Sequence, residues 1–467
     1  MSMNQKAYFF CGIGGSGMMP LAVLLKKRGV DVCGSDRSYD QGKTADKFKA
    51  LQDIGIILYP QNAVGITNKV GRLVVSSAIE PTIPDVKAAI EQDIEIIKRG
   101  TLLAELFNVS KTKIAIAGTS GKSTVTGMIG TILVECGLDP TIVNGGEIRN
   151  LRQNKDDKFS NIRSGQSDVF IAEMDESDGS IAHYNPNIAV INNIALDHMS
   201  MEELERLFGD YIARTQDYIV ANMDQPRVNA LCNARAKVAI IGYSLRDNKA
   251  DLYAYNLSPH IRGMNFDLMY RGASSPVSLN ILGKHNVENA LAALGASLAS
   301  GLRLEDSIAA LSKFNGIHRR MELIGTSKNG VTIYDDFGHN PDKISASLQS
   351  LKAFDGRLIV MFQPHGFGPL RLMRRELVDA FSNHMDVDDV LIMPEVYYAG
   401  GTVDRSVTAH HLIQDLQKDG VQAHWFETRD QIPAFLKDVA RAGDRIVIMG
   451  ARDDTLHLFA HDIISML

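Results

Sequence analysis

Cysteine is scarce in this chain, and long apolar segments are missing. The 467 residues contain four widely scattered cysteines, which excludes a disulfide framework and a cysteine-rich metal site and indicates reduced thiols in the cytosol. They are Cys11, Cys33, Cys136 and Cys232. No apolar run approaches the roughly 20 residues that span a bilayer, and the first residues lack a signal-peptide pattern. We therefore expect a cytoplasmic protein without membrane insertion.

Positive charge is not in excess either. The formal net charge of −6 gives no general attraction to nucleic acid or to an anionic membrane, so we expect no nucleic-acid partner. The chain is long enough for several domains, and its sequence alternates regularly between strand and helix patterns. Its 467 residues suffice for about three domains that each bury a core. The alternation predicts an α/β protein with parallel sheets.

Short apolar runs mark the predicted strands. These are Ala7–Cys11, Leu73–Val75, Ile114–Ala117, Asp168–Ala172, Ile188–Ile191, Val238–Ile241, Val331–Tyr334, Leu358–Phe362, Val390–Met393 and Ile446–Met449. A polar stretch at Asn108–Lys113 separates the first two of them from the rest. We interpret this stretch as the first domain boundary.

The most informative stretch follows the predicted strand Ile114–Ala117. A short glycine turn leads into Lys122 and Ser123 and then into a helical pattern. Glycines let backbone N–H groups approach phosphate oxygens, and the helix N-terminus adds positive potential. Lys122 can reach terminal phosphates, and the Ser123 hydroxyl can ligate Mg²⁺. The predicted nucleotide loop comprises Gly118, Thr119, Ser120, Gly121, Lys122, Ser123 and Thr124.

A second glycine motif lies near the N-terminus. Gly12, Gly14 and Gly17 fit the G-x-G-x-x-G pattern between a strand and a helix, and Asp36 follows about 20 residues later. Taken alone, this pattern favours an NAD-dependent oxidoreductase. However, the pattern requires only a diphosphate at a helix N-terminus, so a nucleotide-sugar diphosphate fits equally well. A purely structural tight turn is the third interpretation.

An acidic cluster follows the predicted strand Asp168–Ala172 and begins at Glu173. Carboxylates at the C-terminal end of a parallel strand, beside a phosphate loop, are placed to hold Mg²⁺. The next strand, Ile188–Ile191, leads to His198, which could complete a second metal site or orient the first. Without the phosphate loop, a solvated acidic loop would be the better interpretation.

The combined motifs resemble those of the Mur ligase family over nearly the whole chain. In order they are Gly-x-Gly-Gly-x-Gly, Gly-Thr-x-Gly-Lys-Ser/Thr, Glu-x-Asp-Glu-Ser-Asp, Asn-Ile-x-x-Asp-His, Gly-x-His-Asn-x-x-Asn, Arg-x-Glu and Asp-Asp-x-x-His-x-Pro, the last of them at Asp335–Pro341. The resemblance implies a ligase that uses ATP and Mg²⁺ to join an amine to a carboxylate through an acyl phosphate. Its implied substrates are UDP-N-acetylmuramate and an amino acid or short peptide, in peptidoglycan precursor synthesis.

The resemblance also implies three α/β domains. Residues 1–108 would form a Rossmann-like UDP-binding domain, residues 109–319 a central P-loop ATPase domain, and residues 320–467 a Rossmann-like domain that brings the amine. We expect a monomer or a homodimer.

The family's nucleotide and metal residues carry over to positions of this sequence. Lys122 and Ser123 take the phosphate and Mg²⁺ roles, Glu173 matches the metal carboxylate, and His198 matches the histidine of a second Mg²⁺ site. Further ATP contacts are expected at Asn286, Asn289, Arg320 and Asp336. Lys122, His198 and Arg320 would take part in catalysis.

The substrate-binding residues implied by the resemblance fall in two regions. The UDP-sugar pocket would contain Gly12, Gly14, Gly15, Gly17, Ser35, Asp36, Ser76 and Ser77. In the C-terminal region, His339 is assigned to substrate by the resemblance, and Arg371 is assigned to it as a nearby replacement for an arginine that this chain lacks. The base that takes the amine proton is His198 or His365, and the sequence leaves that choice open.

The region expected to bind the amine departs from the family pattern. Gly366 and Pro369 stand where the alanine-adding branch has arginines, and Arg371 and Arg374 are the nearby candidates to replace them. We expect L-alanine as the amine, with another amino acid or a recycled tripeptide as the alternative. An NAD-dependent oxidoreductase and a non-catalytic nucleotide-binding protein are the alternatives from other classes.

Overall fold

Three β-sheets, each flanked by helices, organise the chain in this computed structural model, which describes residues 6–76, 79–152, 159–176, 178–195, 199–398, 404–453 and 455–467. The chain divides into two compact units. The first unit comprises Met1–Tyr255, Asp267–Val277 and Val287–Asn315. The second unit comprises Asn256–Phe266, Ser278–Asn286 and Gly316–Leu467.

The first sheet is parallel and has the strand order β3-β2-β1-β4-β5. Its strands are β1 Ala7–Cys11, β2 Val32–Ser35, β3 Ile57–Tyr59, β4 Val70–Val75 and β5 Glu95–Lys98. Its helices are α1 Met18–Lys27, α2 Arg37–Asp40, α3 Ala45–Asp53, α4 Pro84–Glu91 and α5 Arg99–Asn108. Cys11 pairs with Ser35, and Phe10 with Val74. The loops after β1, β2 and β4 therefore emerge at one edge of the sheet.

The second sheet has the order β15-β14-β13-β12-β11-β10-β6-β9-β7-β8. Its strands are β6 Thr112–Ala117, β7 Thr141–Val143, β8 Ile162–Arg163, β9 Val169–Glu173, β10 Ile188–Ile191, β11 Tyr218–Asn222, β12 Ala239–Ser244, β13 Leu252–His260, β14 Gly263–Tyr270 and β15 Ala273–Leu279. Its helices are α6 Lys122–Glu135, α7 Met201–Arg214, α8 Pro226–Arg235, α9 Lys284–Ala299 and α10 Leu304–Leu311. Residues 114–117 and 188–191 are fully apolar and buried, as expected for strands covered on both faces.

The third sheet has the order β16-β17-β21-β18-β19-β20. Its strands are β16 Glu322–Thr326, β17 Thr332–Asp336, β18 Leu358–Phe362, β19 Val390–Pro394, β20 Ala423–Phe426 and β21 Arg445–Met449. Its helices are α11 Pro341–Leu351, α12 Phe367–Leu372, α13 Arg374–Ser382, α14 Ala409–Lys418, α15 Ile432–Val439 and α16 Leu456–Met466. Met449 pairs with both Asp336 and Phe362, so the loops after β17, β18 and β21 meet at one edge.

An aromatic contact joins α5 to the second sheet within the first unit. The Phe107 ring lies 5.6 Å from that of Phe170 and 5.3 Å from that of Tyr184, both edge-on. All three residues are buried. Such pairs contribute about 0.5–1.5 kcal/mol beyond their area, so this contact couples the N-terminal sheet to the central one.

The predicted α/β architecture is confirmed, since every predicted strand overlaps an observed one. Some pairings depart from the all-parallel expectation: β7 pairs antiparallel with β8, and β16 with β17. Strands β13, β14 and β15 follow one another with no helix between them. Among the described residues, no helix combines the length and apolar character needed to cross a bilayer.

Candidate active site

The loop between β6 and α6 has the backbone of a phosphate-binding turn. Gly118 and Gly121 have φ angles of +142° and +84°, which glycine adopts at little cost. A Cβ at Gly121 would lie 2.5 Å from Oδ1 of Asn289 and 2.7 Å from Nδ2 of Asn192. Gly121 therefore allows two side-chain amides to press against the loop just before α6 begins at Lys122.

Lys122 is held by an ion pair that the sequence did not indicate. Its Nζ donates to both carboxylate oxygens of Glu176, at 2.9 and 2.8 Å, and to the carbonyl oxygen of Gly118 at 2.7 Å. The Glu176 side chain is 6% exposed. The lysine charge is thus balanced inside the loop, at the place where a terminal phosphate would need it.

Ser123 and Glu173 form an oxygen pair at the start of α6. The Ser123 hydroxyl donates to Oε2 of Glu173 over 2.7 Å. A Cβ at Gly145 would lie 1.9 Å from the other carboxylate oxygen, so the carboxylate reaches the backbone there. A hydroxyl and a carboxylate side by side are hard oxygen donors that suit Mg²⁺. The remaining predicted metal ligand, His198, lies outside the described residues.

Two consecutive asparagines after β10 brace the phosphate loop. Oδ1 of Asn193 accepts from the Thr119 hydroxyl at 2.9 Å and from the Ser120 N–H at 2.8 Å. Asn192 donates to Oδ1 of Asn289 at 2.9 Å and accepts from the buried Tyr243 hydroxyl at 2.9 Å. Asn289, predicted as an adenine contact, therefore packs against Gly121 of the phosphate loop and accepts a hydrogen bond from Asn192.

The N-terminal glycine loop is folded back onto β2. The N–H groups of Gly12 and Ile13 donate to the carbonyl oxygen of Ser35, and Gly15 donates to Gly12. Gly12 has φ +77°, and a Cβ there would lie 3.2 Å from Ile79. Gly15 is exposed. The loop therefore presents backbone at the N-terminus of α1.

Asp36 holds this loop. Its carboxylate accepts from the Gly14 N–H at 2.9 Å and caps α2 through Ser38 at 2.8 Å. A Cβ at Gly14 would lie 2.9 Å from both Asp36 Oδ2 and the Phe48 ring. Lys47, which sequence reasoning missed, donates to the Gly14 carbonyl at 3.2 Å. A cation thus stands beside the proposed diphosphate position.

The other predicted walls of this pocket differ in exposure. Ser35 is fully buried and donates its hydroxyl to buried Asp85, so it lies beneath the loop. Ser76 is half-buried directly after β4. Ser77 lies outside the described residues.

Arg99 contacts both the N-terminal glycine loop and the acidic segment that follows β9. It donates to Asp178 at 2.9 Å and to Asp175 at 3.2 Å in the acidic segment after β9. A Cβ at Gly17 would lie 2.9 Å from its Cδ. Its guanidinium group therefore packs against the N-terminal glycine loop while binding the acidic segment that carries Glu176.

In the second unit, Asp336 organises the loop after β17. Its carboxylate accepts from the N–H groups of Met321 at 3.0 Å and Gly338 at 3.2 Å, and from the Ser347 hydroxyl at 2.6 Å. Asn286 is also buried, and its amide donates to Leu282. Both side chains predicted to meet ATP are thus engaged within the protein.

Two histidines predicted from the sequence contact each other at the edge of the third sheet where the loops after β17 and β18 lie. The rings of His339 and His365 lie 5.2 Å apart and nearly perpendicular. Burial, followed by the charges of His339 and Arg452, lowers the pKa of His365 to about 4. Burial also lowers the pKa of His339, whose Nδ1 lies 2.9 Å from the Phe337 carbonyl oxygen. His365 is therefore neutral at pH 7 and able to accept a proton.

The candidate arginines of the second unit differ in how firmly they are held. Arg371 pairs with Asp404, and both side chains are about half exposed. Arg374 donates to Asp415 at 2.7 Å and to a carbonyl of α14, and it is less exposed. Arg320 is exposed. Of these three arginines, Arg371 and Arg320 are the ones accessible to a ligand.

A cleft of about 380 Å³ opens near the ends of β18, β19 and β20. Its lining comprises Gln363, Pro394, Glu395, Tyr397, Glu427, Arg429, Asp430, Asp453 and Thr455. Arg429 donates to Asp453 at 2.8 Å, and so does Gln363 at 2.7 Å. Sequence reasoning overlooked Arg429, because no motif surrounds it.

Known families match the chain in three consecutive stretches. Residues 7–111 match the Mur ligase family catalytic domain, residues 116–297 the Mur ligase middle domain, and residues 319–452 the Mur ligase glutamate ligase domain. A UDP-N-acetylmuramate–L-alanine ligase of Dictyoglomus turgidum is 32% identical, with 96% of this chain and 95% of that protein covered. The chain belongs to the Mur ligase family. A UDP-N-acetylmuramate–L-alanine ligase of Methylobacillus flagellatus is 35% identical over 97% of this Mur ligase and 94% of the relative.

Solved structures share this Mur ligase fold. The UDP-N-acetylmuramate–alanine ligase of Thermotoga maritima superposes with a TM-score of 0.80 at 23% identity, covering 99% of both chains. A murein peptide ligase of Psychrobacter arcticus gives a TM-score of 0.66 at 23% identity, covering 99% and 98%. The three-domain α/β prediction is therefore confirmed, whereas the roles of single residues remain predictions.

Proposed function

We propose that this Mur ligase is an ATP-dependent enzyme that joins L-alanine to the carboxylate of UDP-N-acetylmuramate in peptidoglycan precursor synthesis. The Lys122–Glu176 pair within a glycine loop at the start of α6 is the observation that carries the proposal. Near-full-length similarity to proteins named for this reaction supports the choice of substrates.

The first step transfers a phosphoryl group. A carboxylate oxygen of the muramoyl group attacks the γ-phosphorus of ATP, the bond to the bridging oxygen breaks, and ADP leaves. Lys122 would neutralise the transferring group once phosphate replaces Glu176 as its partner. Ser123 and Glu173 would hold Mg²⁺, which offsets the charge of the converging anions. The hydrogen bond between the Thr119 hydroxyl and Oδ1 of Asn193 holds the conformation of the phosphate loop.

The second step forms the amide. The amine nitrogen attacks the acyl carbon, phosphate leaves, and a base takes the amine proton. His365 is our candidate for this base because its ring is neutral at pH 7, although a pKa of about 4 makes it a weaker base than a free imidazole. Arg320 and His339 lie on neighbouring segments of the second unit and would contact phosphate or amine.

The UDP-sugar would bind at the N-terminal glycine loop. The backbone before α1 and the Lys47 ammonium group provide positive potential for a diphosphate. Asp36 is already occupied by the Gly14 and Ser38 N–H groups. In the dinucleotide interpretation the same acid would bind a ribose hydroxyl, whereas in this structure each of its oxygens accepts a backbone N–H of the glycine loop or of α2.

A phosphate-release assay tests the proposal. Purified protein is incubated with UDP-N-acetylmuramate, ATP and Mg²⁺, and each amino acid or the tripeptide is added separately. Phosphate release that requires both L-alanine and UDP-N-acetylmuramate is expected. Release with another amine alone would identify a different ligase of the family. An oxidoreductase or a binding protein would release no amine-dependent phosphate, and that result would overturn the proposal.

A further inference from the structure

A cluster of histidines and carboxylates lies in the second unit, next to Arg320 and Asp336, and the ligase reaction proposed above gives its histidines no role. His318 precedes β16, Glu322 begins β16, and His457 lies in the first turn of α16. One possible donor atom from each of the three side chains lies within 4.8 Å of the others. The cluster joins two segments that are separated by 135 residues of sequence, counted from Glu322 to His457.

The three side chains contact one another and are largely buried. Nδ1 of His318 lies 2.8 Å from Oε2 of Glu322, and the His318 and His457 rings are 4.2 Å apart and nearly perpendicular. The exposed fractions are 5% for Glu322, 16% for His318 and 18% for His457. These groups are therefore shielded enough for a bound ion to be retained.

Further groups orient these donors as they would around a metal ion. Nδ1 of His457 lies 3.3 Å from Oδ2 of the fully buried Asp335, which leaves Nε2 available. A metal-binding histidine commonly donates its other N–H to a carboxylate in this way. Oε2 of Glu322 also accepts the Arg319 N–H at 2.9 Å. His461, one helical turn after His457, packs its ring edge-on at 4.7 Å from the His457 ring and helps to fix the orientation of that ring.

The local charge favours a cation. Glu322 and Asp335 bring two negative charges, and Arg319, 3.2 Å from Asp335, brings one positive charge. Two carboxylates therefore lie against the two histidine rings in a buried setting.

We propose that His318, Glu322 and His457 bind one Zn²⁺ ion, with water completing a tetrahedral site. Nitrogen and carboxylate donors suit Zn²⁺ better than Mg²⁺. Donor atoms around tetrahedral Zn²⁺ lie roughly 3.4 Å apart, so the rings need only a small rotation. The ion would fasten α16 to the turn that carries Arg319 and Arg320.

Metal binding to the full-length, chelator-treated protein tests the proposal. Mg²⁺ is kept in excess to saturate the reaction site, ZnCl₂ is added, and affinity is measured by competition with a chromophoric chelator. We expect one equivalent of Zn²⁺ with a Kd below about 1 μM, and a tetrahedral absorption spectrum when Co²⁺ replaces it. Zinc at about 100 times Kd should raise the Tm of the full-length chain by roughly 3 °C.

Variants separate this site from other histidines. His457→Gln and Glu322→Gln should weaken Zn²⁺ binding at least tenfold, and Asp335→Asn about 10- to 100-fold. His410→Gln, an exposed histidine on α14, is the matched control and should leave binding unchanged. The metal-free Tm of each variant shows whether it folds.

Absence of stoichiometric Zn²⁺ binding by the wild type would overturn the proposal, and this result needs no variant. Binding of equal strength in wild type and in both the His457 and Glu322 variants would overturn it as well. That outcome would place the ion elsewhere, for example at His339 and His365.

Discussion

Nζ of Lys122 lies 2.9 and 2.8 Å from the two carboxylate oxygens of Glu176, so the lysine of the phosphate loop has an internal anionic partner. Both side chains are largely buried, with exposed fractions of 19% and 6%. A buried carboxylate without its cation is costly. Any substitution of Lys122 therefore combines a catalytic effect with a structural one.

A double variant separates the two effects. Lys122→Ala should lower the rate of ligation by about 10³-fold or more, because a charge is removed from the transferring phosphoryl group. It should also lower the free energy of unfolding by about 3 kcal/mol, since Glu176 loses its partner. Lys122→Ala combined with Glu176→Gln should restore most of the stability but none of the rate, as measured by urea melts and phosphate release. Near-normal turnover in Lys122→Ala would refute the assigned role.

The Ser123–Glu173 pair predicts a specific change in Mg²⁺ requirement. Ser123→Ala and Glu173→Gln should each raise the Mg²⁺ concentration for half-maximal activity by about tenfold or more, because each removes an oxygen donor. Asp210→Asn, an exposed carboxylate on α7, should not change it. Equal Mg²⁺ dependence in all four proteins would remove these residues from the metal site.

Local sequence was sufficient to predict the strand, loop and helix around Lys122, because the glycines and the helical pattern lie within a dozen residues. The partner of Lys122 was not predictable in this way. Glu176 is 54 positions away and reaches the loop only because β9 pairs beside β6 in register. Arg99 and Asp178 meet across 79 positions for the same kind of reason.

The contact of His318 with His457 was also beyond local patterns. It depends on how α16, at the end of the second unit, returns to the strand β16 at the start of its sheet. The side chains whose types carry chemistry were identified from sequence, whereas their partners depend on the packing of distant segments. Asp36 illustrates this, since its position suggested a ribose contact and its hydrogen bonds go to Gly14 and Ser38.

Crowding around Gly14 predicts how the N-terminal loop can be inactivated. In Gly14→Ala, a Cβ would approach the Asp36 carboxylate and the Phe48 ring to 2.9 Å, so the loop must shift. We expect calorimetry to show at least tenfold weaker UDP-sugar binding with unchanged ATP binding. Gly209→Ala on α7 is the control, because its Cβ meets nothing closer than 3.6 Å. Tight NAD binding by the wild type, without UDP-sugar binding, would contradict the interpretation.

The lowered pKa of His365 predicts a pH effect on stability. Because its folded pKa of about 4 is below the ordinary 6.5, the unfolded chain binds more protons between these values. Stability should therefore rise with pH across this window and be complete above it. His365→Gln should flatten this rise in urea melts and lower kcat by about 10²-fold or more. An unchanged pH slope and an unchanged kcat would exclude His365 as a buried neutral base.

Amine selectivity is expected to depend on Arg371 more than on Arg374. The exposed ion pair of Arg371 with Asp404 is worth only about 0–1 kcal/mol, so Arg371 can turn to the carboxylate of an incoming amino acid at little cost. Arg374 instead fastens α13 to α14 through Asp415. Arg371→Ala should raise the KM for L-alanine at least tenfold without changing the KM for ATP, whereas Arg374→Ala should mainly lower Tm. The test is to measure KM for several amines in the wild type and in the Arg371→Ala, Arg374→Ala and Arg429→Ala variants. An effect of Arg429→Ala alone would move the amino-acid carboxylate to the cleft beside Asp453.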